Sequence, residues 1–153
     1  MNPTSPMTGS AQTGLTGPTY TLTGDVGPNA SSEQWAVTSL GGTQTGVEVH
    51  SVSNPFTLTV ERPSNFKQLG KANPVTGVVA SVPRNVHTVR VRKGVSVLST
   101  QPVVPALVEC KVHVPAGSDT EDPESVRAML SLMIGALSDL SSDIGDLAIT
   151  GVL

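Results

Sequence analysis

Residues 107–140 read LVECKVHVPAGSDTEDPESVRAMLSLMIGALSDL, and their periodicity changes once, at Pro115. Before it, Val108, Cys110, Val112 and Val114 alternate with Leu107, Glu109, Lys111 and His113. That is the period of two of a strand with one apolar and one polar face. After it, Ser118-Asp119-Thr120-Glu121 has the form of a capping box, and Asp122-Pro123-Glu124 sets an N-cap acid before a first-turn proline. Acids from Asp119 to Glu124 also oppose the positive end of a helix dipole. Val126, Leu130, Met133, Leu137 and Leu140 then recur at spacings of four and three, flanked by Met129 and Ile134. This predicts one helix with an apolar stripe. Its other face is small: Ala128, Ser131, Gly135 and Ser138. Such a face suits either close helix approach or plain exposure. Ser141-Ser142-Asp143 is expected to interrupt the helix, with a short second one over residues 144–149 ended by Gly151.

Toward the N-terminus the period of two persists. Tyr20 and Leu22 alternate with threonines; Trp35 and Val37 follow, then a run at Val47 and Val49. Next come Phe56, Leu58 and Val60 against Thr57, Thr59 and Glu61, and Val89 and Val91 against Thr88, Arg90 and Arg92. Each reads as a half-buried antiparallel strand. The breaks carry turn residues: Gly24 to Asn29, Gly41-Gly42, Ser53-Asn54-Pro55, Pro63-Ser64-Asn65 and Pro102 to Pro105. The stretch from Phe66 to Pro83 fits either a long loop or a further strand. Residues 1–17, rich in Thr, Gly, Ser and Pro, read as a flexible or irregular segment. Residues 18–153 read as a single domain, with a sheet over 18–115 and helices over 118–150.

Strands followed by helices indicate an α+β fold. Coverage is then the physical problem. A helix is about 10 Å wide, so one long and one short helix cover a broad sheet poorly. Exchanging helices with a second copy buries both surfaces, which predicts a two-fold homodimer with Val126, Leu130, Met133, Leu137 and Leu140 in its interface. The competing arrangement is a monomer whose helix lies on its own sheet.

Composition narrows the classes further. Four aromatic residues (Tyr20, Trp35, Phe56, Phe66) leave the core to Val, Leu, Ile and Met. Cys110 is the single cysteine, so no intrachain disulfide forms, which fits assembly in a reducing cytoplasm. The first charged residue is Asp25 and no apolar run approaches a membrane span, so neither a secretion signal nor a membrane partner is expected. Net charge is −3, but residues 1–117 carry +3 and residues 118–153 carry −6. Between Arg62 and Val108 stand seven bases and no acid. An acidic chain can therefore present a basic surface.

Ordered along the chain, several segments resemble the coat proteins of single-stranded RNA bacteriophages, the leviviruses. They are Phe56-Thr57-Leu58-Thr59-Val60-Glu61-Arg62, His87-Thr88-Val89-Arg90-Val91-Arg92, Leu107 to Pro115 running into Ala116-Gly117-Ser118-Asp119, and the helix to Ser138. The resemblance spans about residues 45–153 well and the N-terminal third loosely. It implies an N-terminal hairpin, a five-stranded antiparallel sheet and two C-terminal helices that interlock with a partner. It implies dimers assembled into an icosahedral T=3 shell, made in the bacterial host cytoplasm, around single-stranded genomic RNA. In relatives the inward sheet face can also bind a hairpin at the replicase start and repress translation. The turn-rich stretch from Ser99 to Pro105 would lie near the shell's symmetry axes. Cysteines that cross-link subunits there in some relatives are absent here, and the stretch from Phe66 to Pro83 departs from compact relatives.

Candidate RNA-binding residues are the polar positions of the central strands: Thr57, Thr59, Thr88, Arg90, Arg92, Lys111 and His113. Arginine forks bind phosphates, and threonine hydroxyls reach bases or sugars. Glu61, Glu109 and a lack of aromatics on this face count against tight sequence-specific reading. No metal site is expected, because Cys110 and His113, three apart on a strand, point to opposite faces. Cys110 reads as a buried small apolar residue beside Val108 and Val112. Met129 and Met133 read as core. His50, His87 and His113 lack motif context, and no nucleophile elbow or phosphate loop appears, so neither catalysis, a cofactor nor a small-molecule substrate is expected. Two other classes share these features: a non-viral dimeric RNA-binding regulator, and a threonine-rich surface module that binds no nucleic acid.

Overall fold

The structure, a computed structural model, describes residues 1–153. Its strands are β1 (Met7–Thr8), β2 (Thr16–Asp25), β3 (Ser32–Thr43), β4 (Phe56–Glu61), β5 (Arg84–Val95) and β6 (Val104–Pro115). Three helices follow: α1 (Ser118–Glu121), α2 (Pro123–Asp139) and α3 (Ser141–Thr150). All six strands form one sheet whose spatial order is the chain order, each antiparallel to the next. The alternating pattern gives the strands, and connections that each return the chain beside the strand just left produce this meander. The expected class, an antiparallel sheet followed by helices, is what forms. Five strands are long, and β1 adds a two-residue edge through Met7 and Thr8, opposite Tyr20 and Thr19.

Several local expectations are corrected. Val47 and Val49 form no strand; they lie in the loop between β3 and β4, where Gly46 at φ 81° turns the chain. Gly41-Gly42 does not end β3 but carries it to Thr43 across a register shift in the β2–β3 ladder. Gly42 sits at φ 71°, and a Cβ there would strike the Thr16 and Gly17 carbonyls, so only glycine lets the strands approach. Phe66 to Pro83 is a loop, closed partly by a turn in which the Gly77 amide donates to the Asn73 carbonyl at 2.8 Å.

Helix starts also differ from the capping-box reading. Ser118 is the first residue of α1, after Gly117 at φ 95°, and its hydroxyl donates back to the Pro115 carbonyl at 2.7 Å. Asp122 does cap α2: its Oδ1 accepts from the Ser125 amide at 3.2 Å, with Pro123 at the first turn. Ser141 does not interrupt the helices but opens α3, only Leu140 lying between α2 and α3.

Only 11 of 153 residues are buried, far short of what a self-contained domain of this length needs. Trp35, Ala36 and Val37 of β3, with Ala116, make up the buried apolar core. No residue of α2 is buried.

Candidate nucleic-acid interface and dimerisation surface

Register places all seven candidate RNA-binding residues on one sheet face. Thr57 lies opposite Arg92, and Thr59 opposite Arg90, across β4–β5. Across β5–β6, Thr88 lies opposite Lys111, Arg90 opposite Glu109, and Val86 opposite His113. Residues two apart on a strand share a face, so the ladder assembles the set.

The set is layered in depth. Thr57, Thr59 and Thr88 are 1%, 5% and 7% exposed, at the floor of the face. The Thr59 hydroxyl donates to Gln34 Oε1 at 3.0 Å. Gln34, the polar neighbour of Trp35 on β3, belongs to this floor and was legible only as the off-phase position of its strand. Gln34 Nε2 also donates to Asp25 Oδ2 at 2.7 Å, and this bond, with the Val26 amide, holds the Asp25 carboxyl below the usual carboxylate range. Arg92, Lys111 and His113 are exposed at the front, and Arg90 is half-buried. Arg90 Nε lies 2.7 Å from Glu109 Oε1, and Lys111 Nζ lies 2.9 Å from Glu109 Oε2.

The opposite face is apolar. Trp35 pairs with Leu58, Val60 with Val89, and Val89 with Cys110. Aromatic side chains gather on this side: the Tyr20 and Phe56 rings meet edge to face at 5.7 Å, and Phe66 lies 6.0 Å from His87. Cover fails toward β6, where Val108 is 71% exposed and Cys110 only half-buried. Leu130 of α2, with Val60, Val89 and Val112 of the sheet, lines an open cavity of about 560 Å³. Along the stripe, Met133, Leu137 and Leu140 are 45%, 41% and 47% exposed, while Val126 and Leu130 are half-buried.

A second polar cluster stands at the foot of the loop between β5 and β6. Lys93 Nζ donates to Asn54 Oδ1 at 2.7 Å, and Asn54 Nδ2 donates to Glu48 Oε2 at 2.6 Å. Lys93 also lies 5.3 Å above the Phe56 ring. Burial pushes the Lys93 amine below its ordinary value, against the opposing pull of Glu48.

A single sheet with one polar face, an apolar face left open toward β6 and a projecting helical arm defines a subunit of an assembly rather than a finished molecule. Compared with solved structures, the chain is 50% identical over all of its length to a subunit of the virus-like particle of bacteriophage ESE020, covering 99% of that chain at a TM-score of 0.97. It belongs to the levivirus coat proteins and is a structural protein of the virion capsid. Two particles, of Wenzhou levi-like virus 4 (17% identity, 79% of this chain and 67% of that one, TM-score 0.47) and Beihai levi-like virus 32 (19% identity, 88% of each, TM-score 0.44), are too distant to add to this assignment. No family model and no curated protein matches the chain. No helix is long and apolar enough to cross a membrane.

Proposed function

We propose that two copies pair about a two-fold axis, each laying its helical arm over the other's apolar sheet face, and that the polar face left free holds single-stranded genomic RNA inside the shell. The exposed stripe of α2 carries this reading. Each of its leucines or methionines contributes roughly 1.5–3 kcal/mol when fully buried, as an upper bound. The occupant is a second copy because the open part of the sheet face toward β6, the cavity beside Leu130 and the exposed stripe are apolar surfaces of one and the same chain, which a two-fold pairing covers together. The exposed β6 edge, with Val104 and Val108 bare on the apolar side, lies beside them.

RNA is held through phosphates by Arg90, Arg92, Lys111 and His113, with Thr57, Thr59 and Thr88 shaping the floor beneath. Affinity then falls steeply with salt. Reading of a replicase-start hairpin would use the same face. The aromatic side chains lie on the other side, so such a hairpin would be read without stacking, and backbone contact is the better supported mode. Replacing Arg90 and Arg92 together by Ala tests the site. Purified particles should lose RNA, read as a lower ratio of absorbance at nucleic-acid to protein wavelengths, while still assembling. Unchanged RNA content would remove the assignment.

A further inference from the structure

Ion pairing on the polar face is concentrated on one residue. Of three ion pairs in the chain, two use Glu109: its Oε1 takes Arg90 at 2.7 Å and its Oε2 takes Lys111 at 2.9 Å. The β5–β6 register brings this about by setting Arg90 directly opposite Glu109, with Lys111 two residues further along the same strand face. Both carboxylate oxygens are therefore engaged, each by a cation assigned above to RNA phosphates. Arg92, also on this face, has no acidic partner.

We propose that Glu109 is a resident competitor for RNA phosphate: it occupies Arg90 and Lys111 in the free protein and lowers the affinity of this face for the RNA backbone. The inference rests on the RNA-holding role of the face and adds how that role is tuned. A phosphate oxygen and a carboxylate oxygen present the same charge and similar geometry to a guanidinium or ammonium group. Ion pairs on a solvent-facing surface are individually weak, so incoming phosphate can displace the carboxylate. Glu109 then remains close by as an uncompensated negative charge and penalises each phosphate that lands there. An RNA held this way needs several phosphates engaged together, which favours long chains over short pieces. The two hydrogen bonds, that of Lys111 first and that of Arg90 second, hold the Glu109 carboxyl below its usual range, so the competitor stays charged at neutral pH.

The experiment uses the full chain, recovered from particles and freed of RNA, titrated with a fluorescent single-stranded RNA of mixed sequence over a salt series. Glu109→Gln keeps the size of the side chain and removes its charge. Binding should tighten about three- to tenfold at low salt. The slope of log affinity against log salt should steepen by about one, for one more phosphate neutralised. Lys111→Ala and Arg90→Ala should each weaken binding in parallel. If those two weaken binding but Glu109→Gln leaves it unchanged or weaker, the competitor role is overturned while the RNA face stands. If none of the three alters binding, the RNA face itself is misassigned and the inference falls with it. Should Glu109→Gln not fold, Glu109→Ser carries the same expectation.

Discussion

Gln12 reaches Ser141 across most of the chain: its Nε2 donates to the Ser141 carbonyl at 2.7 Å, while the Ser141 hydroxyl donates to the carbonyl of the preceding residue, Ala11, at 2.5 Å. Ser141 is the one buried residue of the three helices. Thr13 adds a hydrogen bond from its hydroxyl to Asp146 Oδ2 at 2.9 Å. The segment before β2 thus straps the elbow between α2 and α3, and polar contacts rather than apolar packing set where the arm projects.

Ser141→Ala should lower stability by about 1 kcal/mol, since it leaves the Ala11 carbonyl short of a donor. Urea unfolding measures this. Gly145 offers a finer probe, because a Cβ there would press on Gln12 Oε1. Gly145→Ala should displace Gln12 while gaining about 1 kcal/mol of helix propensity. The cost of Gln12→Ala should therefore disappear in the Gly145→Ala background, and equal costs in both backgrounds would rule the strap out.

Asn54 joins Glu48 to Lys93 with both ends of its amide, at 8% exposure. Asn54→Ala would leave a carboxylate and a partly buried ammonium without their partner. We expect a loss of about 2–3 kcal/mol in thermal or urea unfolding. Hydrogen exchange should quicken at the amide of Gly94, which donates to the Pro55 carbonyl at 2.7 Å.

Acid should weaken the β5–β6 pairing in a defined window. The folded-state carboxyl of Glu109 titrates below its unfolded value because Lys111 and Arg90 hydrogen-bond its charged form. Its contribution is fully present above the unfolded carboxylate value of about 4.3 and is lost as pH falls through the lower folded value. Unfolding measured from pH 7 down should show a gap between the parent and Glu109→Gln that closes only in that acidic range. A gap independent of pH would show that the pair does not titrate as described.

Much of this architecture was legible along the chain. Alternation at Phe56 to Glu61, Thr88 to Arg92 and Leu107 to Val114 gave the strands, their faces and hence a shared polar surface, because a period of two admits only one partition. Asp122-Pro123 marked the start of α2. Other features depend on pairings that local pattern does not carry. Val47 and Val49 alternate like a strand, but Gly46 turns the chain there and no partner strand takes them. Ser141 looked like a helix breaker because its anchor, Ala11, is 130 residues away. Glu109 looked like an isolated acid near bases, and only the β5–β6 register shows that it holds two of them.

Leu137→Asp would place a charge on the exposed stripe of α2, where the lone chain tolerates it and a paired copy does not. Leu137 is 41% exposed, so the substitution should leave the strands of the single chain intact by circular dichroism. Particle yield should nevertheless collapse, because a buried, unpaired carboxylate in an interface costs several kcal/mol. Normal particles from this variant would place the stripe outside any contact.

Native mass spectrometry of the chain released from particles under mild conditions reads the pairing directly. The account predicts a dominant species of twice the 15.7 kDa chain mass that persists on dilution, because each copy lacks cover for its own sheet and arm. A folded species at 15.7 kDa, with α2 protected from hydrogen exchange by its own strands, would contradict it.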